Sequence, residues 1–191
     1  MLLQTHISHS MRLKTLRLCD LGTLHKKIRM FCDKPSTGLV VQSLKYALQK
    51  ELREYYRLLA TVQSQIQQSN VGVSTSEELS KMGNEMSLLK LTVFVFDCIP
   101  RMELLAEVID RCQNRRGGEI CTALHFFSEF GDPSVSSVAT TLLSIVAKPI
   151  YLMLCQWILY GELEDHFNEF FIGADLECKK EHLWHSKYFI R

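Results

Sequence analysis

One uninterrupted stripe of apolar side chains, within residues 39–68, constrains the fold of this 191-residue chain more than any other feature. Its members recur at spacings of three and four residues, and the segment contains no glycine or proline. They are Val41, Leu44, Leu48, Leu52, Tyr55, Leu59, Val62 and Ile66. This is the period of one helical face, so the segment is predicted to be a long α-helix. Tyr55-Tyr56 and Leu58-Leu59 widen the stripe beyond the seam of a two-stranded coiled coil, which favours a bundle helix.

Similar periodicity predicts helices on both sides of this segment. Residues 11–32 form a basic amphipathic pattern that stops at Pro35, and residues 101–114 and 119–130 form two further patterns. Gly131 is predicted to close one helix, with Asp132 as the cap and Pro133 as the first residue of the next. That helix is predicted to run to Tyr160 with a kink at Pro149.

The segment 85–99 is ambiguous. Residues 91–96 have the composition of a strand, but no second strand-like run lies nearby to pair with it. A buried helix, broken or kinked at Pro100, is therefore the prediction for this segment.

Three stretches have no strong helical pattern. Residues 1–10 are an N-terminal extension of uncertain structure, and residues 69–84, rich in Ser, Asn, Gly and Thr, are predicted to be a flexible loop. The tail after residue 175 keeps apolar side chains and is predicted to pack back on the body. The predicted fold class is all-α, an elongated helical bundle with a short irregular or extended C-terminal tail.

The bulk composition is that of a globular protein, with 47% hydrophobic and 23% charged residues. The seven cysteines lie mostly on apolar helical faces, and no two are separated by only two residues. This indicates a reducing compartment rather than a disulfide framework. Residues 133–161 contain Lys148 as their only charge, but Ser and Thr make the first half polar. A buried core helix therefore explains this run better than a membrane span.

The net charge of +1 conceals an uneven distribution of charge along the sequence. Residues 1–34 contain seven Lys and Arg against two Asp, whereas residues 162–177 contain six acids and no Lys or Arg. One interpretation is solvated helix faces; the other is complementary surfaces that meet neighbouring chains. No pattern typical of nucleic-acid binding accompanies the basic residues.

No catalytic constellation is evident. Cys112 and His125 could be written as a nucleophile and its base, and His182 and His185 have a spacing that metal sites use. Both are weak patterns, because cysteine and histidine pairs in separate or exposed segments are mostly coincidental. We predict no enzyme activity, no cofactor and no metal, and keep a small helical enzyme using Cys112 and His125 as an alternative.

Several stretches resemble the N-terminal helical module of the gamma-tubulin complex component family. The matches occur in the family's order over nearly all of residues 19–191. The short ones are Gly38-Leu39-Val40-Val41-Gln42-Ser43, Gly117-Gly118-Glu119, Gly131-Asp132-Pro133 and Glu169-Phe170-Phe171. The longer ones lie at 21–28, 49–59 (Gln49-Lys50-Glu51-Leu52-Arg53-Glu54-Tyr55-Tyr56-Arg57-Leu58-Leu59), 157–165 and 183–191. Each is weak alone; together they are specific.

The resemblance implies that residues 11–191 form one helical module of a scaffold protein. In the family such modules make lateral contacts between components, and the assembly presents gamma-tubulin for microtubule nucleation at microtubule-organising centres, centrosomes and spindle poles. Gamma-tubulin itself is held by a separate C-terminal domain, which is expected to be absent here, so gamma-tubulin is expected to be an indirect partner. No membrane or nucleic-acid partner is expected. The alternative of a truncated gene product without an independent role stays open.

Two groups of charged residues are the candidate contact surfaces for other components. The basic group lies in the first helix and the acidic group follows Gly161. The candidates are Lys26, Lys27, Glu162, Glu164, Asp165 and Glu169.

Overall fold

The computed structural model describes residues 8–71, 87–175 and 187–191 of the chain. These ranges contain seven helices and one two-stranded sheet. In chain order the elements are α1 (His9–Asp33), α2 (Leu39–Val71), α3 (Leu88–Val95), α4 (Cys98–Cys112), α5 (Gly118–Ser128), α6 (Pro133–Val146), α7 (Lys148–Tyr160), β1 (Ile172–Ala174) and β2 (Tyr188–Ile190). The predicted all-α class is confirmed. Residues 1–7 and most of the predicted loop at 69–84 lie outside the described ranges, and α2 continues into that loop as far as Val71.

The chain divides into two compact units, and the first comprises Met1–Met30 and Gln49–Ala106. Its described part contains most of α1, the C-terminal two thirds of α2, α3 and the start of α4. Buried side chains from all four helices, among them Leu21, Leu52, Val95 and Leu105, form its core. The buried Glu51 carboxylate accepts a hydrogen bond from Nε of Arg101 at 2.7 Å, so the charge that α2 brings into this core is paired.

The second unit comprises Phe31–Leu48 and Glu107–Arg191. The start of α2 buries Val40, Leu44 and Leu48, and α5 and α6 pack on each other with Leu124 and Leu142 among their buried side chains. β1 and β2 pair in antiparallel fashion, with Ile172 opposite Ile190 and Ala174 opposite Tyr188. The prediction of an extended tail is confirmed for Tyr188–Ile190; residues 176–186 lie outside the described ranges.

The ambiguous segment is helical, but it is not the buried helix that the sequence predicts. The Ser87 side chain caps α3 by accepting from the Lys90 amide at 3.3 Å. Val95 is its only buried residue, and its exposed large apolar side chains are Leu89, Val93 and Phe94. The break that was expected at Pro100 lies upstream at Phe96-Asp97. Pro100 sits in the first turn of α4, where the missing amide hydrogen costs no helical bond.

The long helix predicted across Pro149 is two helices. α6 ends at Val146, α7 begins at Lys148, and their axes are bent by 44°. Asp132 caps α6 as predicted, accepting from the Ser134 amide at 2.8 Å, with Pro133 in the first turn. Gly131 does not have the left-handed conformation predicted for it, because α5 already ends at Ser128 with Glu129 as its cap.

No single helix in the described ranges is long and apolar enough to cross a membrane. α6 and α7 taken together reach the required length and composition, across the bend between them.

Candidate functional site

The acidic turn, defined as residues 161–171, begins where α7 is closed by a left-handed glycine. Gly161 has φ of 70°, and its amide donates to the Trp157 carbonyl at 3.0 Å. A side chain would be strained in this conformation, which glycine adopts freely. The sequence predicted this end of α7 correctly, and the chain reverses here into the acidic residues.

The Asp165 carboxylate holds the acidic turn together by accepting hydrogen bonds from its backbone. Its Oδ1 accepts from the Glu169 amide at 2.9 Å, and its Oδ2 accepts from the Phe170 amide at 3.0 Å. Arg191, directly after β2, donates from Nη1 to Oδ2 at 3.1 Å. The Asp165 side chain is only 2% exposed, so this charge is satisfied by the turn and by the C-terminal residue.

Glu169 caps the first turn of α2 from 130 residues away. Its carboxylate accepts from the Leu39 amide at 2.6 Å and from the Val40 amide at 3.2 Å. These amides have no partner inside the helix, and a negative charge at a helix N-terminus is favourable. Glu169 is 6% exposed, so the cap is sheltered from solvent.

Two glycines make room for Glu169. A Cβ on Gly38 would overlap the Glu169 carboxylate, and a Cβ on Gly117 would overlap the Glu169 carbonyl oxygen. Both glycines have positive φ, at 114° and 52°. Glu169 therefore joins three segments of the second unit: the loop before α2, the loop before α5, and the acidic turn.

The aromatic side chains of the turn have different environments. The sequence predicts that Phe167, Phe170 and Phe171, which interleave with the acids, are core residues. The prediction is confirmed for Phe170, which is 2% exposed and packs with Met153 and Ile172. Phe167 and Phe171 are 41% and 48% exposed, so the prediction that all three rings are core is wrong for these two. The Phe171 ring lies against the Phe170 ring, with centroids 4.4 Å apart, so it covers the core residue while staying half exposed.

The structure divides the six candidate contact residues into two classes. Lys26, Lys27, Glu162 and Glu164 are exposed, as a contact surface requires. Asp165 and Glu169 are directed inward and bonded within the chain. Their assignment to the contact surface is therefore wrong. Their carboxylates accept hydrogen bonds from backbone amides, which a sequence pattern does not reveal.

One surface was missed by the sequence reasoning. The α7 face, defined as Tyr151, Leu152, Ile158 and Leu159, is apolar and between 53% and 70% exposed. The side chains at 151, 152, 158 and 159 share one side of the helix because their spacing is close to two helical turns. The sequence did contain a signal for this surface. The residues of α7 are apolar on every side of the helix, and a helix on one side of a unit cannot bury all of its faces.

The alternative catalytic pair is not supported by the described geometry. Burial raises the pKa of the Cys112 thiol to about 11, because burial disfavours the charged thiolate. The exposed His125 ring lies 3.7 Å from the Glu129 carboxylate, and no hydrogen bond joins it to Cys112 within the described ranges. Three or more metal-ligating side chains do not cluster there either. His182 and His185 lie outside those ranges.

Comparison with known proteins covers almost the whole chain. The model of the "Gamma tubulin complex component N-terminal" family matches residues 2–191. Human gamma-tubulin complex component 3 is 42% identical over 193 residues, covering 98% of this chain and 21% of its own length. The Xenopus laevis homolog is also 42% identical, over 97% of this chain and 20% of its own length. Spindle pole body component 98 of Dictyostelium discoideum is 27% identical, over 97% of this chain and 27% of its own length.

The chain thus spans about a fifth of the length of the first two relatives. The family model and the identities agree over the residues that form both compact units and the acidic turn. The chain belongs to the gamma-tubulin complex component family, and the family's N-terminal region is the part that it matches.

Proposed function

We propose that this chain is a non-catalytic scaffold segment of a gamma-tubulin complex that makes lateral contacts with other components. In this role it supports microtubule nucleation at a microtubule-organising centre such as the centrosome or spindle pole. Gamma-tubulin is then an indirect partner, held by other parts of the assembly. The observation that carries the lateral-contact proposal is the exposed α7 face directly before the exposed acids Glu162 and Glu164.

The α7 face has the character of the centre of a protein interface. Large apolar and tyrosine side chains are enriched at such centres, and charged residues are found at the rim. The four exposed side chains at 151, 152, 158 and 159 form a patch of this kind, and Glu162 and Glu164 follow it across the Gly161 turn. Contiguous apolar patches are uncommon on monomeric surfaces, which supports coverage by a partner.

The first unit has a second candidate surface of opposite charge on α1. Lys26 and Lys27 are exposed, and apolar side chains of the same helix are exposed as well, including Met11, Leu13 and Met30. A basic surface with apolar residues on one component could meet an acidic surface with apolar residues on the next. Charge complementarity of this kind favours specific pairing and fast encounter.

The test uses purified neighbouring components and measures their binding to this chain by co-sedimentation and by surface-immobilised titration. Leu159→Ser is expected to weaken binding by roughly tenfold, because partial burial of an exposed leucine at an interface centre contributes about 1–2 kcal/mol. Leu89→Ser is the matched control, since Leu89 is a leucine of similar exposure on α3.

A charge-reversal pair tests the acidic rim. Glu162→Lys with Glu164→Lys is expected to slow association, whereas Glu103→Lys with Glu119→Lys places the same charges on exposed positions of α4 and α5 and is expected to have little effect. Absence of any binding to purified components would refute the proposal. Equal losses for the test and control variants would refute the assignment of these surfaces.

A further inference from the structure

A cavity of about 330 Å³ lies in the second unit between the loop before α2 and the loop before α5. One wall is formed by Pro35, Ser36 and Thr37, with Val41 beside them, and the other by Arg115 and Arg116. The only charged side chains in this lining are the two arginines. The lining itself therefore carries positive charge, and the cavity holds space for several water molecules.

The polar side chains of this lining make no hydrogen bond or ion pair within the described part of the chain. Neither guanidinium makes an ion pair or side-chain hydrogen bond within the described ranges, although Arg57, Arg101, Arg111 and Arg191 all have carboxylate partners there. The Ser36 and Thr37 hydroxyls likewise have no hydrogen-bond partner within residues 8–71, 87–175 and 187–191. Two guanidinium groups and two hydroxyls thus offer donors to the same space.

Glu169 fixes both walls of the cavity. Its carboxylate caps the helix that follows Thr37, and Gly38 packs directly against that carboxylate. Its backbone carbonyl packs against Gly117, directly after Arg116. A site whose walls are held by one buried residue loses little conformational entropy when a ligand enters.

The loop between α4 and α5, which carries Arg115 and Arg116, is also held by hydrogen bonds of its own backbone. Asn114 has φ of 66°, the Arg115 amide donates to the Cys112 carbonyl at 3.2 Å, and the Glu119 amide donates to the Arg116 carbonyl at 3.2 Å. The loop between α4 and α5 is therefore a tight turn, bonded at both ends to the helices, and not an open strand of chain.

We propose that this cavity is a binding site for a phosphoryl group. Guanidinium groups bind phosphate oxygens with paired, charge-assisted hydrogen bonds, and serine and threonine hydroxyls add single donors. The first amides of α2 are already occupied by Glu169, so the two arginines supply the positive charge. The phosphoryl group can come from free phosphate or from a phosphorylated serine or threonine of a partner peptide, and the chemistry of recognition is the same for both.

The experiment follows the backbone amide resonances of the chain by NMR during titrations at constant ionic strength. The probes are inorganic phosphate, a short peptide with one phosphoserine, the same peptide without the phosphate, and acetate as a monoanion. Saturable shifts confined to residues 36, 37, 41 and 115–117 are expected with the two phosphoryl probes. Acetate and the unmodified peptide are expected to bind much more weakly.

The test variant is Arg115→Gln with Arg116→Gln, and the matched control is Arg12→Gln with Arg17→Gln, which removes two exposed arginines from α1. The test variant is expected to lose about tenfold or more in affinity for the phosphoryl probe, and the control to lose little. Both pairs are exposed, so unchanged unfolding curves are expected. Ser36→Ala with Thr37→Ala tests the opposite wall and is expected to weaken binding by about threefold or more.

Four outcomes decide the proposal. Binding of phosphate alone identifies a site for the free ion, and tighter binding of the phosphopeptide identifies a peptide-borne group; either supports the site. Shifts spread evenly over the basic residues of α1, or equal affinities for the arginine test and control variants, would overturn it. The α7 face and α1 contribute nothing to this cavity, so failure of the lateral-contact proposal leaves this test unaffected.

Discussion

Glu169 shows how much one side chain can determine in this chain. Its carboxylate satisfies two amides at the start of α2, and its close approach leaves no space for a side chain at Gly38 or Gly117. Glu169→Ala is expected to lower the free energy of unfolding by about 2 kcal/mol, because one buried and one partly buried amide lose their acceptor. Urea denaturation at neutral pH measures this, with the exposed Glu164→Ala as the matched control. A loss no larger than that of the control would contradict the cap.

The two glycines beside Glu169 give a sharper test of the same contact. Gly38→Ala collides with the Glu169 side chain, whereas Gly117→Ala collides with the Glu169 backbone. In a Glu169→Ala background the cost of Gly38→Ala is therefore expected to fall, leaving only the strain of a positive φ. The cost of Gly117→Ala is expected to be the same in both backgrounds. Double-mutant cycles from urea denaturation measure both, and the opposite pattern would refute the assignment.

Phe170 and Phe171 are adjacent residues with different expected contributions. Phe170 is buried with Met153 and Ile172, so Phe170→Ala is expected to cost about 3–5 kcal/mol through lost burial and a cavity. Phe171 is half exposed, and Phe171→Ala is expected to cost about 1 kcal/mol or less. Thermal or urea unfolding of the two variants checks this. Equal losses would place Phe170 outside the core.

The buried Cys112 thiol is expected to make the stability of the chain depend on pH in the alkaline range. Burial raises the pKa of its thiol from 9.0 to about 11, so the folded chain keeps a proton that the unfolded chain loses first. The resulting stabilisation is complete below pH 9 and is lost as the pH rises to about 11. Urea denaturation at a series of pH values measures this. Over this window the free energy of unfolding is expected to fall by roughly 2 kcal/mol less for Cys112→Ala than for the unaltered chain. Parallel curves would contradict the shift.

At the scale of elements, local signals predicted structure well and distant contacts did not appear in the sequence. The apolar stripe of α2, the Asp132 cap and the Gly161 turn depend on residues within a few positions, and all three are confirmed. The β1–β2 pair joins residue 172 to residue 190, and Glu169 joins α2 from 130 residues away. Nothing in either local sequence identifies such a partner.

The errors at this scale have the same origin. The apolar composition of residues 88–95 indicated burial, but burial depends on whether another element covers a face. Asp165 and Glu169 were assigned to the surface because acidic residues are mostly exposed. Their amide partners, at positions 39, 40, 169 and 170, belong to turns whose geometry emerges only in the folded chain.

The β1–β2 pair is expected to depend on the ion pair between Asp165 and Arg191. Asp165→Asn removes the negative charge and puts an amide group where Oδ2 accepted from Arg191 and Phe170. Hydrogen exchange of the Asp175 and Arg191 amides, which bond across this pair, is expected to become about tenfold faster. Glu164→Gln is the control, since it removes a neighbouring exposed charge. Unchanged exchange would show that strand pairing alone holds β2.

At the scale of the whole molecule, the near-zero net charge hides two surfaces of opposite sign. The exposed bases of α1 and the exposed acids Glu162 and Glu164 belong to different units, and each lies on or next to a helix with exposed apolar side chains. Burial of Asp165 and Glu169 reduces the outward charge of the acidic turn. The proposed contacts should therefore combine a modest electrostatic contribution with a larger apolar one.

Salt separates these two contributions. Raising the ionic strength from about 0.1 M to about 1 M shortens the screening length from about 10 Å to about 3 Å, so association driven by Lys26, Lys27, Glu162 and Glu164 should slow. The loss caused by Leu159→Ser should be nearly the same at both concentrations, because burial of leucine does not depend on screening. Association and dissociation rates with a purified neighbouring component measure this. The Glu162→Lys, Glu164→Lys variant replaces attraction to a basic partner surface by repulsion, so it is expected to associate slowly at low salt and faster at high salt. A rate that falls with salt as steeply as that of the unaltered chain would show that the acidic turn does not face the partner.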